Sequence, residues 1–306
     1  MGHLLRVRYD CPQCGGSLEL SEASRLLVCP FCGVRLAMVS LGAFRYTLPA
    51  RIPDEIPMED RFFIPYLRFR GPVLYCQGMT IRWRSLELSR CGIRAPGLPL
   101  SLGYRPQALR LAPAEVPPAK GRGPFYLRLR RKASEILTEA ARIPAMTPAD
   151  LPEDRDRQPI YHKTFIGEQV SIIYLPAFLK GEQLFDGITG DVLPVEDAAR
   201  LMERLRQEPA TSWQLKFIPA LCPKCGWDME AGRDSLLFSC PNCLSFWERR
   251  QAGLKPVKTG LLGNIDDGNQ PFLLPFWQFE SYVELQGRGL TSLYELFRFC
   301  GLPEGF

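Results

Sequence analysis

Cysteine is the residue type through which this chain offers chemistry. Cys11-Pro-Gln-Cys14 is followed after fourteen residues by Cys29-Pro-Phe-Cys32, and Cys222-Pro-Lys-Cys225 is followed after the same interval by Cys240-Pro-Asn-Cys243. A Cys-x-x-Cys hook presents two sulfurs from one tight turn, and two facing hooks close a tetrahedron around a metal ion with bonds of about 2.3 Å. Pro after the first Cys fixes φ and stiffens all four hooks. Gly15, Gly33 and Gly226 allow the sharp turns that aim backbone amides at sulfur. Eight of the eleven cysteines are used this way.

Four thiolates without histidine satisfy zinc completely and leave no position for water or substrate. Two structural Zn2+ sites are therefore expected, each supplying folding energy to a hairpin too small to have a core of its own. Iron in a rubredoxin-like site is the rival, since paired Cys-x-x-Cys hooks also hold one redox-active ion; an iron–sulfur cluster is usually signalled by tighter cysteine runs. The spare cysteines, Cys76, Cys91 and Cys300, read as small buried hydrophobes. Histidine is limited to His3 and His162, with no nucleophile motif beside either. There is no phosphate-binding loop, dinucleotide fingerprint or His-Glu-x-x-His. The carboxylate pairs Glu153/Asp154 and Asp266/Asp267 lie in polar loops. No catalytic residue and no small-molecule substrate is expected.

The elements that must position the cysteines are mostly strands, because 28 Pro and 26 Gly work against long helices. Leu4–Tyr9 feeds the first hook, Ser17–Leu20 and Arg25–Val28 read as a hairpin around a polar turn, and Arg35–Val39 continues outward. Strands follow over 61–70, 73–76, 80–88, 124–131 and 170–179. A hairpin is signalled by Asp186-Gly187 and Gly190, and a strand over 213–221 leads into the second quartet. Amphipathic periodicity predicts helices over 132–142 and 195–207. The fold class is a β-rich α+β protein: two four-cysteine zinc ribbons attached to antiparallel sheet units, with a few short helices. Domain boundaries are expected at 1–40 (first ribbon), 41–210 (Arg-rich β region), 211–250 (second ribbon) and 251–306 (aromatic strands and a short helix).

A longer repeat runs through the chain. From Cys32 to Pro65 is 33 positions and from Cys243 to Pro275 is 32, arriving at Phe62-Phe-Ile-Pro-Tyr-Leu-Arg-Phe-Arg and Phe272-Leu-Leu-Pro-Phe-Trp-Gln-Phe-Glu. A third version, Ile172-Ile-Tyr-Leu-Pro-Ala-Phe-Leu-Lys, has no ribbon before it. The pattern predicts an internal duplication with pseudo-twofold organisation. Strands with a central Pro are expected where a sheet bends or ends. Arg68, Arg70, Arg82, Arg84, Arg128, Arg130 and Arg131 alternate with Leu, Phe, Trp and Ile, which predicts an outward basic face suited to anions or a partner. Gln278 and Glu280 break that pattern in the second copy.

The hooks resemble zinc ribbons of the transcription-factor-IIB type. Together with the aliphatic-Pro-aromatic strands, they make the chain look like a group of bacterial double-ribbon proteins of unassigned function. The resemblance implies metal ligation by Cys11, Cys14, Cys29, Cys32, Cys222, Cys225, Cys240 and Cys243, and a bacterial source. It does not imply transcription. A net charge of +5 over 306 residues is modest for a nucleic-acid module. No apolar run approaches the ~20 residues of a membrane span. Reduced cysteines in metal spacing, with no signal-peptide core at Met1-Gly-His-Leu-Leu-Arg, predict the cytoplasm. The expected function is a non-catalytic zinc protein acting as a binding or scaffold subunit for a protein partner or larger assembly. The alternatives are nucleic-acid binding through the Arg strands and ribbons, and a rubredoxin-like iron electron carrier.

Overall fold

The structure is a computed structural model that describes residues 5–40, 42–77, 80–117, 124–141, 160–165, 169–232, 235, 237–250, 253–259, 283–285, 288–290, 292 and 295. It is strand-rich, with three short helices and mainly antiparallel sheets among the described residues. The first ribbon contributes β1 (Arg6–Asp10), β2 (Ser17–Ser21), β3 (Leu26–Val28) and β4 (Arg35–Val39). The central sheet is built from β5 (Phe44–Thr47), β6 (Arg61–Gln77), β7 (Thr80–Cys91), β8 (Ala112–Pro113), β9 (Phe125–Tyr126), β10 (Ile160–Phe165), β11 (Gln169–Lys180), β12 (Gln183–Asp186) and β13 (Val192–Leu193). The second ribbon contributes β14 (Lys216–Pro219), β15 (Leu237–Ser239), β16 (Phe246–Arg250) and β17 (Gly253–Pro256). Residues 260–306 form a separate unit whose described strands are the hairpin β18 (Val283–Leu285) and β19 (Arg288–Leu290). Among the described residues no helix is long and apolar enough to cross a membrane.

Strands β6 and β11 are the centre of the sheet, paired antiparallel from Arg61↔Phe178 to Arg70↔Gln169. They carry two of the three Pro-centred repeats. Neither strand is an edge, which departs from the sequence expectation, and the reason is local. On its other side β6 pairs with β9 at Phe62 and Phe63 and with β7 only from Tyr66 onward, so Pro65 falls where the neighbour changes. Strand β11 likewise pairs with β5 up to Tyr174 and with β12 from Ala177, with Pro176 in the gap. A missing N–H costs nothing where no neighbour asks for it. The carbonyls left without a strand partner are still used: Gly92 N–H donates to Pro65 O and Gly187 N–H to Pro176 O, both at 2.8 Å. The remaining repeat, Phe272–Glu280, lies outside the described residues.

Both faces of this sheet are covered. Phe62, Ile64 and Tyr66 of β6, with Ile173, Leu175 and Ala177 of β11, pack against Leu5, Val7, Tyr9 and Leu27 of the first ribbon. On the opposite face Phe63 and Tyr126 stack at 4.4 Å between ring centres, with Tyr174 edge-on to Tyr126 at 4.9 Å. Phe69, Ile136 and Trp213 complete that second core. Helix α1 (Arg105–Ala108) is a single turn; α2 (Ala133–Ala141) and α3 (Ala198–Arg206) lie within the two expected helical stretches. Helical spacing buries one stripe of α3, where Ala198, Met202 and Leu205 join the first core.

The ribbon hairpins differ from the expected arrangement. Strand β2 does not pair with β3; β1 pairs with β2 and β3 with β4, so both hairpins of the first ribbon close across a cysteine hook. The two ribbons also lack the expected twofold relation. Strand β4 of the first pairs with β14 of the second from Leu36↔Pro219 to Val39↔Lys216. Its reciprocal is missing: among the described residues β1 is bounded by β2 and Leu111, and β16 by β15 and β17. The ribbons are joined head to tail, a heterologous rather than isologous contact. Ala37 of β4 enters the small core of the second ribbon beside Met229 and Phe238. The Arg249 guanidinium donates to Met38 O across the same junction.

Candidate metal centres

Each hook is closed by the same pair of backbone bonds. Gly15 N–H donates to Cys11 O at 2.8 Å, Gly33 to Cys29 at 2.9 Å, Gly226 to Cys222 at 2.8 Å and Leu244 to Cys240 at 3.0 Å. The first cysteine's own amide returns to the carbonyl five residues on, as in Cys11 N–H to Gly16 O at 2.9 Å. The residue after the second cysteine must be left-handed, with φ of +72° at Gly15, +73° at Gly33 and +74° at Gly226. Leu244 takes φ +53° at the fourth hook, a conformation costing a side-chain-bearing residue roughly 1–2 kcal/mol.

This geometry gathers all eight cysteines into two groups, each with four sulfurs within 4.8 Å of one another. Cys11 and Cys32 sulfurs are 3.8 Å apart, and those of Cys14 and Cys29 are 3.7 Å apart. In the second group Cys222 and Cys243 lie at 3.6 Å, and Cys225 and Cys240 at 3.4 Å. A tetrahedron with metal–sulfur bonds of about 2.3 Å has edges of about 3.8 Å. The sulfurs are thus already near the corners a single ion requires, so the donor set fits a tetrathiolate metal site.

The surroundings favour thiolate at Cys29 in the first group and at Cys222 and Cys243 in the second. Burial opposes ionisation of Cys29, but the amides of Cys32 and Phe31 and the neighbouring thiols of Cys32 and Cys11 bring it down to about 7. Cys222 is likewise opposed by burial, yet the Ser245 hydroxyl, the amides of Cys225 and Lys224 and the Cys243 thiol bring it down to about 6. The first cysteine of every hook is buried, whereas Cys14, Cys32 and Cys225 reach the surface.

The arginines do not make one face. Arg68 is 1% exposed, its Nη1 2.5 Å and Nη2 2.9 Å from the Glu22 carboxylate and its Nε 2.7 Å from Glu87. It points inward because the sheet is covered on both sides, so alternate residues of β6 face two cores rather than core and solvent. Arg70 is half-buried, 3.5 Å from Gln169 Oε1. Arg82 and Arg84 lie opposite Tyr75 and Val73 in the β6–β7 ladder, and Trp83 between them is exposed rather than inward. Arg128 is exposed, and Arg130 is partly exposed, 3.4 Å from Glu208. Arg131 is paired with Glu135 and Glu139.

Of the other sequence candidates, Cys91 is buried as expected, while His3, Cys300 and both loop carboxylate pairs lie outside the described residues. Sequence reasoning missed Glu22, the ribbon residue that pairs with Arg68, and Ser245, which touches two of the second group's sulfurs. Aligning the two ribbons at their common offset of 211 residues would have singled out Ser245, because its counterpart is Val34.

The chain matches no family model, no curated protein and no solved structure.

Proposed function

We propose that this chain is a non-catalytic protein of the bacterial cytoplasm, stapled by two structural zinc ions, that acts as a binding subunit for a protein partner. We read the 211-residue offset between its ribbons as an internal duplication. Metal binding is carried by the sulfur geometry: two closed tetrathiolate groups, each lacking an open position at which substrate could reach the ion. Iron would be held by the same four sulfurs and make the protein coloured, so metal analysis of the purified chain decides the ion; two zinc per chain is the expected result.

The partner reading is supported by what the second ribbon exposes. At the positions of Asp10, Gly16 and Gly33 it carries Leu221, Trp227 and Leu244, which are 47%, 57% and 71% exposed. Large apolar side chains that this fold does not need, one of them on strained backbone, are characteristic of binding surfaces. The test is native purification at low salt, comparing wild type with Trp227→Ser and Leu244→Gly. The expected result is a stoichiometric protein companion that both substitutions release while zinc content stays at two. Nucleic acid that co-purifies and leaves as salt rises would replace this reading with the nucleic-acid alternative, for which Arg128 and Arg130 are the surface candidates.

A further inference from the structure

The two cysteine groups share a backbone but differ in what surrounds them. Ser245 Oγ lies 3.0 Å from Cys243 Sγ and 3.4 Å from Cys222 Sγ. Trp247 Nε1 lies 2.8 Å from the same oxygen. An indole nitrogen can only donate, so the Trp247 N–H occupies one lone pair of Ser245 and its hydroxyl hydrogen remains free to point at sulfur. The counterparts in the first ribbon are Val34 and Leu36, whose side chains have nothing to donate. Four thiolates around a divalent ion carry an excess of two negative charges, and charge-assisted donors offset that excess. Exposure follows the same split. Cys32 reaches the surface, while its counterpart Cys243, held by Ser245, is only half-exposed.

We propose that Ser245, oriented by Trp247, is a positioning residue that makes the second site the firmer holder of metal and leaves the first as the labile one. This rests on the reading of both groups as metal sites. Donors outside the ligand shell commonly change metal affinity by about 10–100-fold, so an inequality of about tenfold is expected between the two sites.

The test uses the full chain loaded with isotopic Cd2+ as the probe, observed by cadmium NMR during competition with a chelator. Cys225→Ser assigns the second resonance by removing it. Wild type is expected to lose the first-site resonance at the lower chelator concentration. Ser245→Ala should move only the second resonance and raise that site's dissociation constant about tenfold, Ser245→Thr should restore both, and Trp247→Phe should fall between. Equal retention at the two sites, or Ser245→Ala and Trp247→Phe variants that leave the second site unchanged, would overturn the proposal. A chain that takes up no Cd2+ at either site would instead overturn the metal reading on which it stands.

Discussion

At the scale of single residues, buried charge is the costliest feature outside the sulfurs. Arg68 is held by Glu22 and Glu87, and Glu22 also approaches the Leu5 amide at 3.4 Å, which ties the turn of the first ribbon to the middle of the sheet. Removing one partner of such a pair leaves a charge without water or counterion, so Glu22→Ala should destabilise the protein by about 3–5 kcal/mol. Replacing both Glu22 and Arg68 with apolar residues should cost much less than the sum of the single changes, which a double-mutant cycle in urea would measure. The surface Arg130–Glu208 pair should be worth under about 1 kcal/mol by the same method. Cysteines divide as sharply. Any one of the eight clustered cysteines changed to Ser should lose one metal ion per chain, read by elemental analysis. Burial pushes the Cys91 thiol up, against opposing contributions from the Ile93 amide, Tyr66 and Arg131, so Cys91 should resist alkylation in the native protein and react only on unfolding.

At the scale of elements, turns decide which strands can meet. Gly97 has φ +86°, and a Cβ there would stand 1.9 Å from Pro194 O and 2.7 Å from Val195 N, both backbone. Neither atom can move without shifting the segment that leads from β13 to α3. Gly97→Ala should therefore cost at least about 2 kcal/mol. Gly103 has φ +60° but open space around its Cβ position, so Gly103→Ala should cost only the left-handed penalty of about 1 kcal/mol. Thermal melts of the two variants would separate backbone collision from backbone strain. Asp186 does similar work in the hairpin after β12. Its Oδ1 accepts from the Ile188 amide at 2.8 Å and the Thr189 amide at 3.3 Å, while Oδ2 pairs with Arg105 at 2.5 Å.

At the scale of the whole molecule, the head-to-tail junction makes the two ribbons unequal. The first ribbon is built into the main core through Leu5, Val7, Tyr9, Cys11 and Cys29. The second rests on a small core that borrows Ala37 and on the pairing of β14 with β4. Strand β4 follows closely on Cys32, so an unfilled first site would loosen the strand on which the second ribbon is templated. Cys32→Ser should consequently weaken metal retention at both sites, whereas Cys225→Ser should leave the first site full. Metal stoichiometry under chelator challenge, with hydrogen exchange across β14, would show this asymmetry; symmetric losses would mean the junction does not couple the sites. Coupling and the Ser245 relay act at different points, one through strand pairing and the other at sulfur.

The cysteine groups were legible in the chain because hook geometry is local: two cysteines, a proline and a left-handed residue within six positions set each turn regardless of what surrounds it. Strand periodicity and the two longer helices were legible for the same reason. Strand partnership was not, because pairing depends on which segments are brought together from far apart. That is why the hairpins close across the hooks, why Pro65 and Pro176 occupy gaps between neighbours in central strands, and why the ribbons join without a twofold. Alternation in β6 correctly marked two faces, but only the tertiary structure decided that both are buried, turning Arg68 from a surface residue into the partner of Glu22. Periodicity reports that neighbouring side chains point opposite ways; only packing determines what each side meets.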